Sequence, residues 1–242
     1  MQFIPPKEFK AKLIKKEFLN EEVVSLWFKP VDAEFKYLAG QFAMVKFEDK
    51  DEPEKFITRA YSIASAPKEN GEFELCLGII PNGKGSTYLN SLTENDLAVF
   101  KAPFGMCNIK PENKNNLIMV ATGTGIAPIK AILEDLANNN DTRTIDVLFG
   151  VRKAENLFYL KELKDLAEKL ENSSIILTLS QPDVLSWNGH EGRVTAHLDS
   201  LNFDPLITDF YICGNGEMIK EVREFALKAG IDKKNIHVEI FD

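Results

Sequence analysis

Apolar and polar residues alternate through the first hundred positions of the chain. Val24, Leu26 and Phe28 are spaced by two, as are Ala43, Val45 and Phe47, and again Phe73, Leu75, Leu77 and Ile79. A period of two belongs to strands with one buried face. Turn-forming clusters separate these runs: Leu38-Ala39-Gly40, Lys68-Glu69-Asn70-Gly71 and Pro81-Asn82-Gly83. Many short strands joined by Gly- and Pro-rich turns predict an antiparallel barrel or sandwich over about residues 7–108.

The pattern changes after the polar run Pro111-Glu112-Asn113-Lys114-Asn115-Asn116, which reads as a linker. Leu117 to Ala121 is continuously apolar and leads through a glycine turn to a helix ending near Asn138. Further strands are expected over Ile145 to Phe149, Ile175 to Leu179, Phe210 to Cys213 and Ile236 to Phe241. Helices are expected over roughly Leu157 to Leu170 and from Gly214 through about Lys228. Unbroken apolar strands alternating with helices mean a parallel sheet covered on both faces. The expected organisation is a β-barrel domain over residues 1–110 followed by a doubly wound parallel α/β domain over residues 111–242.

Composition narrows the function classes. A formal net charge of −8 argues against a nucleic-acid surface, which needs clustered Lys and Arg. Cys76, Cys107 and Cys213 are far apart and form no C-x-x-C pair, so a disulfide framework, a zinc site and an iron–sulfur cluster are not expected. His190, His197 and His237 are equally dispersed, and no metal site is expected. No run approaches the ~20 apolar residues of a membrane span, and the N-terminus lacks the apolar stretch of a leader; the expected location is cytoplasmic.

Three segments carry candidate chemistry. Ala121-Thr122-Gly123-Thr124-Gly125-Ile126-Ala127-Pro128 joins the first parallel strand to its helix, where glycines let the backbone approach a pyrophosphate. It departs from G-x-G-x-x-G at Pro128, a residue suited to the first turn of a helix. Thr58-Arg59-Ala60-Tyr61-Ser62 offers a planar cation for a diphosphate, a ring that can stack on a heterocycle, and a hydroxyl donor. Strand alternation puts Arg59 and Tyr61 on one face and Ser62 on the other. Gly83-Lys84-Gly85-Ser86-Thr87 adds amides, hydroxyls and an ammonium for a second phosphate.

In this order the segments resemble the ferredoxin–NADP reductase superfamily along nearly the whole chain. Arg59-Ala60-Tyr61-Ser62 resembles its R-x-Y-S flavin motif, Gly83 to Thr87 its flavin-pyrophosphate loop, and Gly123 to Pro128 its nicotinamide-side glycine motif. Tyr211 to Met218 resembles its C-G-x-x-x-M segment, and His237-Val238-Glu239-Ile240-Phe241 its terminal E-x-aromatic. The resemblance implies a Greek-key flavin barrel followed by a nucleotide domain, and an NAD(P)H-dependent flavoprotein reductase. By the same resemblance Arg59 and Ala60 contact the FAD pyrophosphate, Tyr61 stacks on the flavin, and Ser62 approaches N5. Cys76, Leu77 and Gly78 line the flavin edge, and Lys84, Gly85, Ser86 and Thr87 hold phosphates. Thr122, Gly123, Thr124, Gly125 and Gly214 cradle the nicotinamide nucleotide, Cys213 and Glu239 join Ser62 in catalysis, and Phe241 covers the flavin.

In NADP-specific members an Arg often follows the third-strand serine; here Ser180 is followed by Gln181-Pro182-Asp183. Asp183 suits a ribose hydroxyl and repels a 2′-phosphate, which favours NADH. Arg152 and Arg193 are cations that could receive the phosphate of NADPH. Lacking cluster cysteines, the chain is expected to pass electrons singly to a separate partner: a ferredoxin, an oxygenase component or a cytochrome. The competing readings are a flavin reductase with diffusible flavin and a catalytically silent flavin-binding subunit.

Overall fold

The structure, a computed structural model, describes residues 4–52, 54–110, 112–183 and 187–240. The first half contains β1 (Lys7–Phe18), β2 (Val23–Pro30), β3 (Phe42–Glu48), β4 (Phe56–Ser62), β5 (Phe73–Gly78), α1 (Lys84–Ser91) and β6 (Leu97–Phe104). These six strands form one antiparallel sheet in the order β4-β3-β6-β1-β2-β5. Its edges meet just past β4, where Ile63 bridges Leu75 and the Ala64 amide donates to the Glu74 carbonyl at 2.8 Å. The sheet is therefore a closed barrel with Greek-key connections, not a sandwich.

Alternation explains what fills it. Phe9, Ala11 and Leu13 of β1, Val24, Leu26 and Phe28 of β2, and Ala43, Val45 and Phe47 of β3 all point inward. Phe73 lies at the centre, with the rings of Phe9, Phe28, Phe35 and Phe100 all within 6.2 Å of its own, centroid to centroid. Edge-to-face and offset contacts of this kind add to the burial of apolar area.

The second half contains β7 (Asn116–Thr122), α2 (Ile126–Asn138), β8 (Ile145–Val151), α3 (Leu160–Lys169), β9 (Ser173–Leu179), β10 (His190–Glu191), β11 (Thr208–Gly214), α4 (Gly216–Lys228) and β12 (Ile236–Ile240). All the strands pair in parallel, in the order β10-β9-β8-β7-β11-β12. Leu117, Met119 and Ala121 of β7 pack toward α2 and α3, while Ile118 and Val120 pack toward α4. Both faces are covered, which is why these strands are apolar without interruption. The chain runs outward from β7 through β8 and β9, then returns to place β11 on the other side of β7. A crevice opens where strand order reverses, at the carboxyl ends of β7 and β11.

Three local features differ from expectation. The helix expected from Leu157 starts at Leu160, because Tyr159 adopts a left-handed backbone (φ 59°) and turns its side chain inward. The short strand β10 has no apolar run to announce it. The polar run before β7 is pinned: Asn113 and Asn115 each donate to the buried Asp209 carboxylate at 2.6 Å, and His237 lies 2.9 Å from it. Among the described residues no helix is long and apolar enough to cross a membrane.

The halves share a core. Val23, Ala39, Ala64, Cys76 and Cys107 from the barrel side belong to the same buried cluster as Ile126, Ile129 and Ile132 of α2. Within the barrel, Phe73→Ala is expected to lower unfolding free energy by about 3–5 kcal/mol, through lost transfer energy and the cavity left behind. Urea unfolding measures this, and a loss below about 1 kcal/mol would mean that Phe73 does not anchor the barrel.

Candidate functional site

The glycine turn predicted after the first parallel strand is a single 3-10 turn, Gly123–Gly125, between β7 and α2. Gly125 is required by close approach: a Cβ there would stand 2.3 Å from the Cys213 carbonyl oxygen and 2.9 Å from Gly214 Cα. Pro128 falls in the first turn of α2, where no intrahelical partner is lost. No side chain caps the turn or α2, and the turn runs straight into the helix, the Ile126 amide donating back to the Gly123 and Thr124 carbonyls, so the positive end of the helix dipole lies at the glycine turn.

The crevice has a volume of about 870 Å³ and is walled by both halves. Thr122 to Gly125, Arg152, Ser180, Gln181, Arg193 and Gly214 line it from the α/β side; Asn20, Glu22 and Gly78 to Pro81 line it from the barrel. This size lies in the range of small-molecule and cofactor sites. Its two arginines differ. Arg193 pairs with Glu217 at 3.4 Å and Glu221 at 3.8 Å on α4, whereas Arg152 has no ion pair among the described residues. Asp183 is outside this wall, its carboxylate 3.1 Å from Lys153 Nζ.

The two barrel motifs come together on the other side of the seam. Arg59 and Tyr61 sit opposite Val45 and Ala43 of β3 and point to the same side of β4, while Ala60 points away. The first turn of α1 lies against them: a Cβ on Gly85 would stand 2.4 Å from the Tyr61 hydroxyl and 2.9 Å from Arg59 Cγ. α1 has no side-chain cap either, and at Gly85 its first turn lies beside the Arg59 side chain. Burial pushes the Tyr61 phenol up to about 12, so the ring is neutral.

The loop side chains divide differently from the sequence expectation. Lys84 Nζ lies 2.8 Å from both Asp49 carboxylate oxygens and 2.9 Å from Asp51, and its hydrogen bonds to them raise its pKa to about 12. Ser86 Oγ accepts from the Ile80 amide at 3.2 Å and lies equally far from the Ile80 and Gly83 carbonyls, so this hydroxyl ties the loop to itself. Thr87 is exposed, and its amide donates to Gly83. Leu77 and Cys76 are enclosed, and only Gly78 of that trio reaches the crevice. Asp49, Asp51 and the Asn20–Glu22 turn were missed. Acidic and polar residues beside turns carry no distinguishing pattern.

A hydrogen bond joins the halves at the end of β4. Ser62, the last residue of β4, donates from Oγ to Glu239 Oε1 on β12. Glu239 stands beside Cys213 in the β11–β12 register, and Cys213 stands beside Ala121 of β7. Burial pushes the Glu239 carboxyl up to about 7, opposed by the Ser62 hydroxyl. Cys213 is fully buried, and burial holds its thiol well above the ordinary range, so it is a neutral thiol and not a nucleophile. The pair Ser62–Glu239 can therefore hold or release a proton near neutrality. Among the described residues no three His, Cys, Asp or Glu side chains are placed to hold a metal ion. Phe241 lies outside the described residues.

Residues 10–109 match the family of oxidoreductase FAD-binding domains, and residues 119–224 match that of oxidoreductase NAD-binding domains. The chain is 32% identical over 248 residues to ferredoxin–NADP reductase B of Sorangium cellulosum, covering 99% of this chain and 100% of that one. It is 28% identical to reductase component 1 of the terephthalate 1,2-dioxygenase of Comamonas sp, covering 97% of this chain and 68% of that one. It shares its fold with a ferredoxin–NADP+ reductase from Neisseria gonorrhoeae solved with FAD and NADP, at a TM-score of 0.82 and 23% identity, over 97% of this chain and 98% of that one.

Two outcomes follow from the geometry. Gly85→Ala drives a methyl group into Tyr61 and Arg59 and is expected to weaken flavin retention by about tenfold or more, near 1.4 kcal/mol, measured by equilibrium dialysis. Unchanged retention would separate α1 from the flavin side of the barrel. For Glu239, whose ordinary value is 4.5, the folded state favours the protonated form. Its contribution to stability is full below about pH 4.5 and is lost as pH rises through about 7. Relative to Glu239→Gln, the wild-type chain should lose about 2–3 kcal/mol between those limits. Parallel stability curves for the two proteins would place the carboxyl in water.

Proposed function

This chain belongs to the ferredoxin–NADP reductase superfamily and is an FAD-dependent NAD(P)H oxidoreductase, and from that premise we propose the following division of labour among its residues. The residues present fit the cofactor: Gly85 leaves beside Tyr61 and Arg59 a cradle that a Cβ would fill, and no side chain caps α1 or the glycine turn that leads into α2. When bound, FAD supplies a ring that accepts hydride and releases electrons one at a time.

Arg59 and the leading amides of α1 hold the pyrophosphate, with Ala60 fixing the backbone between Arg59 and Tyr61. Tyr61 gives the ring a neutral stacking face. Lys84, held by Asp49 and Asp51, and Ser86, bonded within its own turn, keep that loop in shape, and Thr87 anchors the helix start. The strand end Cys76–Gly78 borders the ring, and Gly78 opens it to the crevice. Thr122 to Gly125 and Gly214 receive the nicotinamide nucleotide on the uncapped end of α2. Ser62 and Glu239 hold a proton at the reacting edge, and Cys213 packs behind it as a small neutral group. The supporting observation is that β4 and β12, 177 residues apart in sequence, meet in the Ser62–Glu239 hydrogen bond beside the glycine turn.

NADH is the preferred donor. Gln181 rather than a cation follows Ser180 at the crevice wall, and the Arg193 guanidinium is engaged by two carboxylates. Asp183 contributes nothing direct, being paired with Lys153, and Arg152 is the cation through which NADPH would compete. The electrons pass to a separate redox protein, an iron–sulfur or oxygenase component of the kind served by the similar reductases.

Anaerobic titration of the FAD-loaded protein tests this directly. NADH should bleach the long-wavelength flavin band at roughly tenfold lower concentration than NADPH, a difference of about 1.4 kcal/mol. Failure of both nucleotides to bleach it would make the protein a silent flavin carrier. Loss of flavin on gel filtration would make flavin a diffusing substrate.

A further inference from the structure

The seam between the halves contains a buried ion cluster that none of the roles above employs. Lys130, on the second turn of α2, is only 3% exposed. Its ammonium donates to the Ala64 carbonyl at 2.9 Å, to Glu74 Oε2 at 3.1 Å, and to Glu134 one turn along the helix. An ammonium has three N–H donors, and here each has an acceptor. Glu74, itself 2% exposed, also receives the hydroxyls of Ser25 and Tyr159 on its other oxygen. The Tyr159 ring lies 4.8 Å from Lys130 Nζ, and this is the residue whose left-handed backbone delays the start of α3. A non-glycine residue held at φ 59° persists where its surroundings over-determine it.

Stability alone is a poor account of this cluster. Burying an ammonium and a carboxylate costs about as much as their attraction returns, and apolar replacements of equal volume are often neutral or better. What the ions add is direction. The acceptors of Lys130 come from the segment two residues past Ser62 and from Glu74, two residues before Cys76. The helix that carries Lys130 begins at the Gly123–Gly125 turn. A single helix thus links the nucleotide turn to β5 and to the segment just past β4.

We propose that Lys130 is a positioning residue for hydride transfer: through Glu74 and the Ala64 carbonyl it sets the separation between the flavin strands and the nicotinamide turn. This rests on the flavoprotein-reductase reading, and the experiment keeps the two apart. Burial draws the Lys130 ammonium down, and the carboxylates of Glu74 and Glu134 outweigh it, so the charge that the device needs is present.

The test uses the FAD-loaded protein with Lys130→Met, with Lys130→Arg, and with the pair Lys130→Met/Glu74→Gln, in which Glu74 is not left as an orphaned charge if the single variant fails to fold and the part-exposed Glu134 keeps the Ala66 amide. Four quantities are read: FAD retention, the thermal midpoint, NAD+ affinity from perturbation of the flavin spectrum, and the limiting rate of flavin reduction by NADH. Amide exchange at Thr124 to Ile126 and Ala64 to Ala66 is followed in parallel. Lys130→Met and the double variant should retain FAD, lose at least tenfold in the limiting rate, and exchange faster at both segments. Lys130→Arg should recover most of the rate. The double variant should regain the thermal midpoint without regaining the rate. Wild-type rate and exchange in the double variant would overturn the proposal and leave the cluster a matter of stability. If the wild-type protein is not reduced by NADH or NADPH, the reductase reading fails instead, and unchanged amide exchange in the double variant then refutes the seam separately.

Discussion

The packing of α2 against the barrel holds the two walls of the crevice to one another. Ile126, Ile129 and Ile132 share a buried cluster with Val23, Ala39, Ala64 and Cys76, so the helix that starts at the glycine turn also packs against the barrel, apart from the cluster that fills its interior. Separating the halves would expose this apolar area and break the contact between the Lys130 ammonium and the Glu74 carboxylate. Nonpolar burial supplies the adhesion along the seam, and the polar cluster supplies its register. The crevice exists in a defined width only because both act on the same helix.

Charge is rationed in the crevice and on the barrel face beyond the seam. Lys84 is held by Asp49 and Asp51, and Arg193 by Glu217 and Glu221, whereas among the described residues Arg59 donates only to its neighbour's carbonyl and Arg152 has no ion pair. Cations held by carboxylates shape loops; cations without them retain their field for an anionic ligand. The exposed pairs are screened and individually weak, so their value lies in orienting the loop and not in stability. Around the Ser62–Glu239 contact the order is reversed. Burial keeps Tyr61 and Cys213 uncharged and raises Glu239 to about 7, so that its carboxyl can hold a proton near neutrality.

Much of this was visible in residue order. Period-two runs marked the barrel strands, and unbroken apolar runs marked the parallel ones. The RAYS segment and the two glycine loops lay where residue chemistry put them, because strand alternation and glycine turns are local properties that a window of ten residues contains. Even the link between Ser62 and Glu239 could be expected, though only through resemblance to a family. The side-chain assignments in the phosphate loop were less legible. Ser86 and Lys84 are correct residue types for an anion, but whether a hydroxyl points out or into its own turn depends on neighbours such as Ile80 and Asp49.

Local periodicity and glycine placement were enough to specify two halves, their sheet types and the glycine turns that lead into α1 and α2. They could not reveal that Lys130, at an ordinary position of an amphipathic helix, is among the most buried charges of the molecule. Nor could they show that Asp183 spends its carboxylate on Lys153, or that Tyr159 must leave the helical conformation. Each of these is decided by a partner brought close through barrel closure or strand reversal, from as much as 85 residues away for Tyr159 and Glu74. Burial and pairing are properties of the assembled seam: an isolated stretch of chain contains the donor, and only the folded whole brings the acceptor.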